Sequence, residues 1–69
     1  LEKGETWYGR NGTPYEGVKA TIDRITARKV SISYDRIVHV DGSLVCGQTM
    51  YRGEFQRMFD PVQQLELDL

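Results

Sequence analysis

Cysteine and histidine are nearly missing from this chain, which has one of each, Cys46 and His39, in 69 residues. A lone cysteine excludes an internal disulfide, and one histidine beside it leaves too few ligands for a structural zinc site. The pair points to a reducing, cytoplasmic compartment, and no metal or other cofactor is expected. Long hydrophobic runs are missing too: no stretch approaches the roughly 18 apolar residues of a membrane-spanning helix. Neither sign of charge dominates, with nine Lys and Arg against ten Asp and Glu and a net charge of −1. Such a chain is no polyelectrolyte as a whole, and any contact with nucleic acid must come from a local patch. Length itself is scarce. A chain this short makes one small domain, buries only about 60% of its unfolded surface and reaches a stability of about 3–5 kcal/mol. A deep catalytic cavity or a separate cofactor domain does not fit in it.

What the chain does have is a two-residue hydrophobic period, the mark of strands with one buried face. Val18, Ala20 and Ile22 alternate with Lys19, Thr21 and Asp23, and Val30, Ile32, Tyr34, Val38 and Val40 occupy the even positions of the next run. After Asp41-Gly42 the even-numbered set continues at Leu44, Cys46 and Met50. Keeping that parity across the turn requires a three-residue loop, Val40-Asp41-Gly42 with Gly42 left-handed, which pairs His39 with Ser43 and Val38 with Leu44. Glu5-Thr6-Trp7-Tyr8 reads as a first strand, followed by a second hairpin signal at Asn11-Gly12. From Tyr51 the period becomes helical through Phe55, Met58 and Phe59, so residues 51–59 make one or two helical turns. Pro61 stops them, and Val62 opens a last extended piece. Short strands, strong hairpins and one helical turn before the final strand describe an all-β fold, a small SH3-like antiparallel barrel, over residues 1–62. An open meander with a helix across one end satisfies the same pattern.

Residue types that carry chemistry are not arranged for catalysis. His39 falls on the outer face beside Ile37, with no nucleophile and orienting group at a recognisable spacing. Cys46 falls on the inward parity as a small apolar residue. The carboxylates Asp23, Asp35, Asp41, Glu54 and Asp60 are scattered, unlike a calcium loop or a paired acid and base. No catalytic residue is assigned, and no enzyme activity is expected. Local charge is more telling than the total: residues 10–36 carry a surplus of bases, and residues 60–69 carry Asp60, Glu66 and Asp68 with none. Arg10, Lys19, Arg24, Arg28 and Lys29 form a candidate nucleic-acid patch, with Trp7, Tyr8 and Tyr15 as candidate stacking faces. Trp7 serves equally well as a seal on the core.

Two resemblances add to this reading. The residues Trp7, Arg10-Asn11-Gly12, Tyr15-Glu16, Val30-Ser31-Ile32-Ser33-Tyr34, Asp41-Gly42, Met50, Phe55 and Phe59-Asp60-Pro61-Val62 together resemble small SH3-like proteins of bacteria, phages and mobile elements. That likeness implies a fold and no activity. The second lies in the acidic tail, residues 63–69. There Gln64-Leu65-Glu66-Leu67-Asp68-Leu69 resembles the bacterial sliding-clamp binding peptide, whose hexapeptide form has Gln, Leu, Leu and Leu at the positions of Gln64, Leu65, Leu67 and Leu69. Asp68 stands where that family usually has a small residue or Pro.

The resemblance implies a non-enzymatic interaction module with a protein partner, the sliding clamp, in DNA replication or repair. The chemistry of such docking is simple. One polar side chain sets the register of an extended segment, and aliphatic side chains fill an apolar groove. Two other readings fit the same residues. Alternating Leu65, Leu67 and Leu69 also describe a strand added to a second copy of the barrel, giving a homodimer, and the basic residues describe a nucleic-acid-binding barrel. No membrane partner is expected.

Overall fold

Segments in which apolar and polar side chains alternate bury one face when extended, and this chain has enough of them to build most of its core from strands. The computed structural model describes residues 1–62, with strands β1 (Thr6–Gly9), β2 (Lys19–Ile25), β3 (Lys29–Val40) and β4 (Ser43–Tyr51), helix α1 (Arg52–Met58) and strand β5 (Phe59–Asp60). The strands form one antiparallel sheet in the order β4-β3-β2-β1-β5. This is the expected class, a small all-β barrel-like fold with a short helix before the last strand.

Val18, Ala20, Ile22, Val30, Ile32, Tyr34 and Val38 are all buried, so the even positions face inward through Ile22 and again from Val30 to Tyr34 and at Val38. After a register shift between Ile22 and Arg24, Arg24 is exposed and Ile25 packs against the core. Aromatic rings close the interior from the other side. Phe55 and Phe59 are fully buried, their centroids 4.9 Å apart, and Trp7 lies 4.9 Å from Phe55. A seven-residue helix has little stability of its own, and Phe55 is what anchors α1 to the sheet. Glu54 in its first turn and Arg57 in its last suit the helix dipole.

Four expectations are corrected. The β3–β4 turn has two residues, not three: Val40 pairs with Ser43, His39 with Leu44 and Val38 with Val45. Asp41 and Gly42 both adopt positive φ, 49° and 78°, as a type I′ turn requires. The parity of β4 changes elsewhere, where β3 carries extra residues between Ser33 and Val38 opposite the short step from Gly47 to Val45. Beyond that irregularity Leu44 and Cys46 point outward and are exposed, and Val45 packs against the core instead. A side-chain count along one strand cannot detect an insertion in its neighbour, which inverts every position past it.

The last strand also comes earlier than expected. Phe59 and Asp60 pair with Gly9 and Tyr8, whereas Val62 is 72% exposed. Nor does Asn11-Gly12 join β1 to β2 in a tight hairpin. It lies within a connection, residues 10–18, that folds over the core through Tyr15, with Val18 N–H donating to the Tyr15 carbonyl at 2.9 Å. Gly9 makes this possible, since a Cβ there would overlap the backbone carbonyl of Tyr15.

Candidate functional site

The five basic residues of the candidate patch do not form one surface. Lys19 and Arg10 sit at one end of the sheet among carboxylates. Arg10 Nε and Nη2 meet Asp60 Oδ1 at 2.9 and 2.7 Å, and the backbone N–H of Lys19, not its ammonium, donates to Asp35 Oδ1 at 3.1 Å. Arg10 also ties the loop to the helix end through its N–H, 2.8 Å from the Met58 carbonyl. These are structural contacts. The Arg36 guanidinium donates to Asp35 and holds that carboxyl below its ordinary range, again at this end.

Arg24, Arg28 and Lys29 gather at the other end, around the β2–β3 turn. Thr26 shapes that turn: its N–H donates to the Lys29 carbonyl at 2.9 Å, and its hydroxyl oxygen accepts from Lys29 N–H at 3.0 Å. Arg24 faces Ser31 in the register, and Ser31 faces Thr49, their hydroxyls 2.9 Å apart. Lys29 is opposite Tyr51, with its ammonium 5.2 Å from the ring centroid. Arg52, whose N–H donates to the Arg28 carbonyl at 2.9 Å, joins this group from the start of α1. Among the described residues Arg24, Arg28, Lys29 and Arg52 form no salt bridge. Sequence reasoning missed Arg52 and Tyr51 as members because only the β3–β4 pairing brings them beside Arg28 and Lys29.

An open cleft of about 300 Å³ adjoins this basic end, lined in part by Lys29, Thr49, Tyr51, Glu54, Gln48 and Tyr15. Gln48 Nε2 donates to Tyr15 Oη at 2.6 Å, which fixes both polar ends on the cleft wall. Asp41 and Glu54 bring carboxylates to the cleft lining, and Asp23 accepts a hydrogen bond from the Ser33 hydroxyl farther along the sheet.

The candidate stacking rings are otherwise employed. Trp7 and Tyr15 are buried in the core, and Tyr8 is half-buried. Trp7 Nε1 donates to Glu5 Oε1 at 3.0 Å, a bond that, with a second from Glu2 N–H, lowers the Glu5 pKa. Tyr34 Oη is buried without a hydrogen-bond partner among the described residues, and burial, together with the nearby Tyr15 phenol, pushes its pKa up. Tyr51, at 58% exposure, is the ring left open to solvent beside the cations.

His39 is exposed, opposite Leu44, and Cys46 is exposed nearby on β4. With Ile37 and Leu44, 66% and 62% exposed, they make an apolar outer face on the distal hairpin. No group of three or more His, Cys, Asp or Glu that could hold a metal occurs among the described residues. No described helix is long and apolar enough to cross a membrane. The tail residues Gln64, Leu65, Leu67 and Leu69 lie outside the described residues. No protein family, curated protein or solved structure matches the chain.

Proposed function

We propose that this chain is a non-enzymatic interaction module that presents the hexapeptide of residues 64–69 to the apolar groove of a bacterial sliding clamp. The observation that carries the reading is the hexapeptide itself: Gln64, Leu65, Leu67 and Leu69 occupy every defining position of that peptide. It follows Phe59 and Asp60, which pair with β1, and Pro61, and the described sheet has five strands. Gln64 sets the register by hydrogen bonding, and the three leucines fill the groove. At about 1.5–3 kcal/mol for each fully buried leucine, less the cost of ordering the segment, micromolar affinity is expected. Occupancy of the groove would exclude polymerases and repair factors that use the same site.

The test is a titration of purified bacterial clamp with the intact chain and with Gln64→Ala and Leu67→Ala. Micromolar binding by the intact chain that weakens in both variants supports docking. Equal binding by all three, or none by the intact chain, removes it. Loss of dimers on truncating residues 64–69, without clamp binding, would assign the tail to self-association instead.

A further inference from the structure

We infer that the basic end of the barrel, with the cleft beside it, binds single-stranded nucleic acid. Arg24, Arg28, Lys29 and Arg52 converge there from β2, the β2–β3 turn and the start of α1, and among the described residues none is spent in a salt bridge. Cations neutralised by neighbouring carboxylates, as Arg10 is by Asp60, have little left to offer a phosphate. Unpaired ones release counterions when they meet a backbone. The Ser31 and Thr49 hydroxyls sit between Arg24 and the cleft as further phosphate donors.

The choice of a single strand over a duplex rests on Tyr51 and the cleft. Tyr51 is exposed next to Lys29, and the cleft it lines has room for an unstacked base, with Gln48, Thr49 and Glu54 on its walls to meet a base edge. A duplex keeps its bases stacked and cannot enter. Single strands give up bases readily and gain from stacking on an aromatic face. The carboxylates of Glu54 and Asp41 in the cleft lining repel phosphates and turn the backbone track toward Arg24 and Arg28. They also explain how a chain with net charge −1 can carry a local site. This surface lies on the barrel and is independent of the tail peptide.

Fluorescence anisotropy with a labelled 12-nucleotide single strand of mixed sequence, as DNA and as RNA, tests the site on the full chain. With three or four phosphates engaged, affinity should fall roughly 20- to 50-fold between 50 and 200 mM salt. Arg24→Ala with Arg28→Ala should weaken binding about tenfold. Tyr51→Ala should weaken it about fivefold or more, and Tyr51→Phe should retain it. Lys19→Ala, and Gln64→Ala with Leu67→Ala, should stay within about twofold of the parent, which separates this site from the tail. Far-ultraviolet circular dichroism and melting temperatures confirm that each variant is folded. No binding at 50 mM salt, equal affinity for duplex and single strand, or a Lys19→Ala loss as large as that of the arginine pair would each overturn the inference. Stronger binding of either DNA or RNA identifies the source and supports the site.

Discussion

Gly9 shows how much of this fold rests on single positions. The connection between β1 and β2 lies so close over β1 that any Cβ at Gly9 collides with the Tyr15 backbone carbonyl, a group that cannot rotate away. Gly9→Ala should therefore cost about 3 kcal/mol or more, most of the stability of so small a domain. Urea denaturation measures it, and a loss below about 1 kcal/mol would mean that the loop lifts off easily. Acid sensitivity is also decided by individual side chains. Glu5 and Asp35 are held below the ordinary carboxylate range, Glu5 chiefly by the Trp7 indole N–H and Asp35 chiefly by Arg36. A carboxyl whose folded pKa is depressed contributes above its unfolded pKa, and that contribution is lost as pH falls through the folded value. Melting temperature should thus hold steady from neutral pH to about pH 5 and decline below about pH 4. Glu5→Gln should flatten part of that decline, and an unchanged acid profile in the variant would count against the indole contact.

At the level of elements, the strands were legible wherever one strand's parity is uninterrupted. Val18 to Ile22 and Val30 to Tyr34 declare their inward face in the sequence, and the structure agrees. The helix was legible in part: Phe55 and Met58, three residues apart, lie on α1 and reach the core, whereas Tyr51 and Phe59, which the same period includes, belong to β4 and β5. The distal half of β4 was not. Its phase depends on the extra residues of β3 between Ser33 and Val38, a cross-strand fact that no local period encodes. For the same reason the loop length was misread: the inserted residue expected in the turn lies in the strand. The two-residue turn can be tested at Asp41, whose φ is positive here and would be negative in the three-residue loop. Asp41→Asn should be tolerated, whereas Asp41→Val should lower stability by about 1–2 kcal/mol, since a branched side chain resists the left-handed region. Equal melting temperatures for the two variants would restore the longer loop.

For the whole molecule, the fold divides its charge between two ends that the linear sequence runs together. One end spends Arg10 and Arg36 on Asp60 and Asp35. The other leaves Arg24, Arg28, Lys29 and Arg52 beside an exposed tyrosine. Half of that arrangement was readable, as a cluster at positions 24–29. The other half comes from Tyr51 and Arg52, which arrive through sheet pairing across more than twenty residues of chain. A barrel that grips a strand at one end and offers the peptide of residues 64–69 would hold nucleic acid and a protein partner together. Binding of the peptide is what ties the chain to the clamp in this proposal.

Its most direct measurement is the dissociation constant for purified bacterial clamp, by calorimetry, for the intact chain and for Leu67→Ala at low and high salt. Docking through the leucines should give micromolar binding that changes little with salt, because aliphatic contacts dominate, and that weakens about 10- to 100-fold in the variant. An intact chain that fails to bind, or a variant that binds as tightly as its parent, would contradict it.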